Sequence, residues 1–157
     1  MRILVFSDSH GRGDAIRDAM FDHPEVGNII FTGDGVREME SIAGEFPDVN
    51  TYVVKGNCDF GAGTPDEMVI ELAGKRIFFT HGHKYSVKSG TGTIAAAARR
   101  CGASICLYGH THEPYTVYDG GLYIMNPGTV GGARTGVKTY GMIDITQSGI
   151  MCIIAKL

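Results

Sequence analysis

A chain of 157 residues is the size of one ordinary domain and long enough to bury a core of its own, so residues 1–157 are read as a single unit. Hydrophobic residues at 43% and charged residues at 20% exclude a disordered chain, and apolar runs no longer than a strand exclude a membrane-spanning helix. The net charge of −3 gives no basic footprint of nucleic-acid binding, and four cysteines without a Cys-x-x-Cys pair exclude a disulfide framework and a paired-cysteine zinc site.

At the N-terminus Met1 and Arg2 lead at once into Ile3-Leu4-Val5-Phe6, which leaves no room for a secretory signal; a cytoplasmic protein with reduced thiols is expected. The run is continuous and partly β-branched, the pattern of a strand covered on both faces, and it ends in Ser7-Asp8-Ser9-His10-Gly11. Asp8 and His10, at i and i+2, form a candidate oxygen-plus-nitrogen chelate. Asp14 is placed as the N-cap of an amphipathic helix from Ala15 to Phe21, with Ile16, Ala19 and Met20 on one face. Asp22-His23-Pro24 stops it, with His23 solvated in the turn.

A second strand, Ile29-Ile30-Phe31, terminates in Thr32-Gly33-Asp34-Gly35, and a helix is expected from about Glu38 to Phe46, closed by Pro47. The third strand, Tyr52-Val53-Val54, runs into Lys55-Gly56-Asn57-Cys58-Asp59. Met68 to Leu72 and Arg76 to Thr80 read as a hairpin around Ala73-Gly74-Lys75, and its second strand ends in His81-Gly82-His83. Thr91 to Arg100 has high helix propensity. Ser104 to Tyr108 is a strand that delivers Gly109-His110-Thr111-His112, and Tyr115 to Tyr118, Leu122 to Met125, Tyr140 to Ile145 and Ile150 to Lys156 make the tail β-rich.

One rule recurs: apolar strand, small residue, then a potential ligand, at Asp8/His10, Asp34, Asn57, His81 and His110/His112. Sites of layered α/β proteins form outside the carboxyl ends of strands, so five such corners can meet in one place. Seven candidate ligands, Asp8, His10, Asp34, Asn57, His81, His110 and His112, exceed the needs of one tetrahedral zinc and suit two ions. Two-metal hydrolytic sites activate a water and clamp the oxygens of an in-line displacement; Asp34, alone on its corner, is the natural bridge.

The ensemble resembles the calcineurin-like metallophosphoesterases in Asp8-Ser9-His10, Gly33-Asp34, Gly56-Asn57-Cys58-Asp59, His81-Gly82-His83 and Gly109-His110-Thr111-His112, in family order from about Met1 to Gly128. With Asn126-Pro127-Gly128, it is most similar to the small YfcE-like phosphodiesterase branch. The resemblance implies a two-sheet αββα sandwich with the metals at one rim. Asp8, His10, Asp34 and His112 would hold one ion, and Asp34, Asn57, His81 and His110 the other. It implies hydrolysis of small phosphate esters, most of all diesters, by a hydroxide held between two divalent ions. Manganese is the expected ion, with nickel, zinc or iron admitted by the mixed donors. A homodimer is a further expectation drawn from the family.

Many members of that family carry histidine after the metal-binding asparagine, where this chain has Cys58. An ordinary thiol, with a pKa of about 8.5, gives no cationic help at neutral pH. The catalytic candidates are therefore Asp34, Asn57, Cys58 and His83, and the substrate-binding candidates Arg12, Asn57 and His83. Loops from Gly61 to Glu67, Lys84 to Thr93 and Gly131 to Lys138, with Lys84, Lys88, Arg134 and Lys138, are left to shape specificity. A His-x-His after a strand also opens some (β/α)₈ hydrolases, but that barrel needs about 250 residues. The other functional class is a protein-interaction scaffold, since a retromer subunit resembles the same fold with an eroded site; here the seven positions hold competent ligands.

Overall fold

The structure is a computed structural model and describes residues 1–132 and 136–157. Among these residues, the first half of the chain forms β1 (Arg2–Phe6), α1 (Asp14–Asp22), β2 (Asn28–Phe31), α2 (Val36–Glu45) and β3 (Asn50–Val53). A hairpin follows, of β4 (Glu67–Leu72) and β5 (Lys75–Thr80), then two 3₁₀ turns (His83–Tyr85 and Val87–Ser89), α3 (Gly92–Arg100) and β6 (Ile105–Leu107). The tail supplies β7 (Tyr115–Asp119), β8 (Leu122–Asn126), β9 (Thr139–Thr146) and β10 (Gly149–Lys156).

The strands make two mixed five-stranded sheets, ordered β10-β9-β1-β2-β3 and β4-β5-β6-β8-β7. β1, β2 and β3 are parallel, as are β5, β6 and β8, while β9, β10, β4 and β7 pair antiparallel. Strand alternation decides the layers. In β1, Ile3 and Val5 face a central core with Ile30, Ile77, Phe79, Ile105, Leu107 and Met125, which joins the two sheets. Leu4 and Phe6 face the other way, onto Ile16, Ala19 and Met20 of α1 and Met39 and Ile42 of α2. The outer face of the second sheet, with Phe78, Cys106 and Ile124, packs on Ile94, Ala95, Ala97 and Ala98 of α3. The result is the expected αββα sandwich. Each fully buried aliphatic or Phe side chain contributes about 1.5–3 kcal/mol to holding the layers together.

Strand ends fall within two residues of the expected ones, and the hairpin turns on Ala73 (φ 48°) and Gly74 (φ 69°), a pair of positive values that matches the right-handed twist of its strands. Three local expectations are corrected. Gly13, not Asp14, is the N-cap of α1, because the Asp14 carboxylate is drawn to Arg17 Nη1 at 2.9 Å. α2 starts at Val36, ahead of Glu38, for a reason given below. His23 is half-buried with its Nε2 2.9 Å from the Tyr140 hydroxyl, so it is a packed residue. Among the described residues no helix is long and apolar enough to cross a membrane. Arg134 lies outside the described residues.

Candidate metal centre

Parallel strands bring their carboxyl ends to one rim. β1 therefore delivers Asp8 and His10, β2 Asp34, the segment after β3 Asn57, β5 His81, and β6 His110 and His112. The turns that follow are unusual backbone: Asp8, His10, Asp34, His110 and His112 all have positive φ, between 45° and 69°. Non-glycine residues adopt such values at a cost and hold them where the surroundings dictate it, commonly at functional sites. Glycine supplies the close approaches. A Cβ on Gly109 would lie 2.0 Å from Ser7 Oγ, and one on Gly56 2.0 Å from Asp34 Oδ1.

On one side, Asp8 is fully buried. Its Oδ2 accepts from the Ser7 hydroxyl at 2.5 Å and the His110 N–H at 3.1 Å, whereas Oδ1 has no hydrogen-bond partner among the described residues. Oδ1 faces His112 Nε2 at 3.1 Å and His10 Nε2 at 3.8 Å, and those two nitrogens are 3.2 Å apart. A buried carboxylate oxygen aimed with two imidazole nitrogens at one point is what a cation would satisfy. The nearby Asp8 carboxylate pushes His112 up, again because positive charge is favoured there.

On the other side, His81 is fully buried and its Nδ1–H donates to the Thr32 carbonyl at 2.8 Å. That bond fixes the tautomer and turns Nε2 onto Asp34 Oδ2 at 3.4 Å and Asn57 Oδ1 at 3.1 Å. Two oxygens and a ring nitrogen need a proton or a metal between them. Burial would push Asp34 up, yet the bonds from His81 and the Cys58 N–H, the latter at 2.7 Å, hold it well below the carboxylate range. His81 is pushed down by burial but raised overall by the Asp34 and Asp8 carboxylates.

Among the described residues, three overlapping groups of donors, each within 4.8 Å of one another, could hold metal: Asp8, His10 and His112; Asp8, Asp34 and His81; and His10, Asp34 and Cys58. Asp34, Asp8 and His10 each belong to two of them. His110 joins none; its ring stands at 69° to that of His81, centroids 5.1 Å apart, and burial, with the charge of His81, pushes it down to about 4. It still lines the same cavity of about 580 Å³ as His10, Asp34, Asn57 and His112.

A family model for the calcineurin-like phosphoesterase superfamily domain matches residues 1–148. The chain belongs to that superfamily. It is 33% identical to the probable metallophosphoesterase YsnB of Bacillus subtilis (strain 168) over 83% of this chain and 75% of that protein. A phosphodiesterase from Methanocaldococcus jannaschii is 28% identical over 92% of this chain and 93% of its own. Among solved structures, a conserved uncharacterized protein of Streptococcus pneumoniae TIGR4, a predicted phosphoesterase, has a TM-score of 0.85 at 30% identity and covers 99% of this chain and 88% of its own. Zinc-complexed Vps29 from Entamoeba histolytica, at 22% identity and a TM-score of 0.78 over 99% of both chains, shares the fold.

The remaining candidates separate. Cys58 lines the cavity, but burial and then the bond to Asp34 push its thiol up to about 11, so it is neutral at ordinary pH. His83 lies tilted beside His81 and His110, ring centroids 5.4 and 6.1 Å away, with a buried Nδ1 that lacks a hydrogen-bond partner among the described residues, and burial pushes it down. Arg12 is exposed beside Gly132 and is outside the cavity lining. The sequence reading gave no role to two buttresses. Asp59 accepts backbone N–H groups of Asp34, Gly35, Val36 and Gly56 at 2.8–2.9 Å, which caps α2 from another loop and explains its early start. Asn126 donates to the Gly109 carbonyl at 2.9 Å and to Thr111 Oγ1 at 3.0 Å, setting the His110–His112 corner. The signals were present, in Asp59 two residues after Asn57 and in Asn126-Pro127-Gly128.

Proposed function

We propose that this chain is a metal-dependent phosphoesterase that acts on phosphodiesters through two divalent ions. Asp8, His10, Asp34 and His112 would hold one, and Asp34, Asn57, His81 and His110 the other, with Asp34 common to both. The observation that carries this reading is the partnerless, fully buried Asp8 Oδ1 facing the Nε2 atoms of His10 and His112. Nearby, His81 Nε2 is turned onto the oxygens of Asp34 and Asn57. Asp34 is grouped with His81 in one donor set and with His10 in another, which supports the bridge.

Bound ions of this kind lower the pKa of water and neutralise phosphoryl oxygens. The protein's own contribution is to fix their holders: Thr32 through His81, Ser7 and the His110 N–H through Asp8, and Asp59 through the Asp34 loop. The neutral Cys58 thiol supplies no charge to the leaving group. The relatives named as phosphodiesterases favour a diester, and the mixed oxygen and nitrogen donors favour manganese, nickel, zinc or iron(II) over calcium.

The test uses metal-stripped protein, bis-p-nitrophenyl phosphate and p-nitrophenyl phosphate. Turnover of the diester should return with manganese and disappear in a folded Asp34→Ala variant. Failure of every one of the four metals to restore turnover of either compound would overturn the proposal.

A further inference from the structure

The ligand cavity has a neighbour on each side. It shares His10, Asp34 and Cys58 with a second cavity of about 360 Å³, and Lys88 and Glu113 with a third of about 350 Å³. The two flanking cavities share no lining residue with each other, so the candidate ligands lie between them.

The flanks have matching chemistry. One presents Arg37, Glu38, Asp59 and Phe60, the other Lys88, Glu113, Tyr108 and Tyr115: a cation, at least one carboxylate and an exposed aromatic ring in each. Phe60 is 85% exposed and Tyr115 41% exposed, so both rings have open faces. Neither Arg37 nor Lys88 forms an ion pair among the described residues, whereas Lys55 and Lys84 are both drawn to Asp66. Lys88 is exposed and follows an anchored residue. Its neighbour Val87 is buried against Gly82, where an added Cβ would lie 2.9 Å from Val87 Cγ2, and the ammonium charge acts on both His110 and His112.

We infer that these three cavities form one groove for a phosphodiester that joins two ring-bearing, uncharged groups, with the phosphoryl over the ligands, one ring against Phe60 and the other against Tyr115. The inference rests on the hydrolytic reading above and names its substrate class. The two ester arms of a phosphodiester diverge from phosphorus, and in an in-line displacement the departing arm lies opposite the attacking oxygen while the retained arm lies to one side. Each arm therefore needs a space of its own, and the two flanks provide them. A carboxylate in each flank opposes a terminal phosphate there, and Glu113 and the second oxygen of Glu38, whose Oε1 accepts the Gly11 N–H, can each accept a hydrogen bond from a ring amine or hydroxyl. The cation beside it faces the single negative charge of the diester. A nucleoside-like group at each end meets these demands, since ring stacking on an aromatic side chain tolerates many bases.

The experiment compares Phe60→Ala, Tyr115→Ala and the parent protein, all manganese-loaded. Readouts are KM and kcat for bis-p-nitrophenyl phosphate and p-nitrophenyl phosphate, and calorimetric binding of the slowly hydrolysed diphenyl phosphate. Both side chains are exposed, so the variants keep the fold. Each substitution should raise the diester KM and weaken diphenyl phosphate binding by about five- to tenfold, the size of one lost stacking contact. The one-ring monoester should respond to only one of them. Unchanged constants in both variants, or equal effects on monoester and diester, would overturn the groove while leaving metal-restored turnover as evidence for hydrolysis. Ring-dependent diphenyl phosphate binding without any metal-restored turnover would do the reverse.

Discussion

Asp8 and Asp34 are both buried carboxylates at the ends of neighbouring parallel strands, yet the surrounding protein satisfies them differently. Asp34 accepts the Cys58 N–H with one oxygen and faces His81 with the other, and His81 is itself fixed by the Thr32 carbonyl. Asp8 has one satisfied oxygen and one with no hydrogen-bond partner, opposite two imidazoles that are more than a third exposed. The Asp34 side is thus shaped by protein contacts, while the Asp8 side keeps a charge that a cation alone can complete. Such a division suits a site that must fold first and load metal afterwards.

The largest expected effect attacks what the two sides share. Asp34→Ala should lower kcat for the diester by about 10³-fold or more, since a bridging carboxylate supports several kcal/mol of charge stabilisation. A single-digit loss in a folded variant would mean that the sides act independently. Asp59→Ala strands four backbone N–H groups around Asp34 and should cost about 3 kcal/mol of stability, read as a lower urea midpoint, with activity falling alongside. Asp59→Asn should recover part of both.

The comparison itself is tested by a pair of histidines. His81→Ala should destabilise the metal-stripped protein by about 2–4 kcal/mol, because it opens a cavity and leaves the Thr32 carbonyl unpaired. His112→Ala should change metal-stripped stability by less than about 1 kcal/mol but reduce the manganese-induced rise in Tm. In the parent protein that rise corresponds to about 2.7 kcal/mol at a hundredfold excess over Kd. Equal losses from both substitutions in the metal-stripped state would erase the distinction between the two sides.

Much of this was legible in the chain. Ile3 to Phe6 and Ile29 to Phe31 are fully apolar because both faces of their strands are covered, one by the second sheet and one by helices. The ligand at the end of each run then announces a common rim. What stayed hidden depends on partners distant in sequence. Asp59 lies 23 to 25 positions from three of the N–H groups it holds, and Asn126 acts 15 and 17 positions back. Local rules also lose to tertiary ones. Asp14 has the right type for an N-cap, but a nearby guanidinium competes for its carboxylate. Arg12 has the right chemistry for phosphate, yet its loop carries it out of the cavity that Lys88 lines.

The smallest effect concerns two imidazoles one residue apart that sit in opposite fields. His110 is pushed down to about 4 by burial and then by the charge of His81, while the Asp8 carboxylate raises His112. For His110 the unfolded chain binds its proton more readily, near 6.5, so stability is present above that pH and falls as pH drops toward about 4. For His112 the sign reverses: its contribution is complete below about 6.5 and fades as pH rises through its raised folded value. Urea midpoints of the metal-stripped protein across pH 5 to 8 should therefore move in opposite senses in His110→Gln and His112→Gln, relative to the parent. Because both rings are partly exposed, solvent screening should hold each difference to about 1 kcal/mol. Parallel curves for all three proteins would remove the electrostatic contrast between the two imidazoles, and with it the claim that the Asp8 carboxylate favours positive charge on His112.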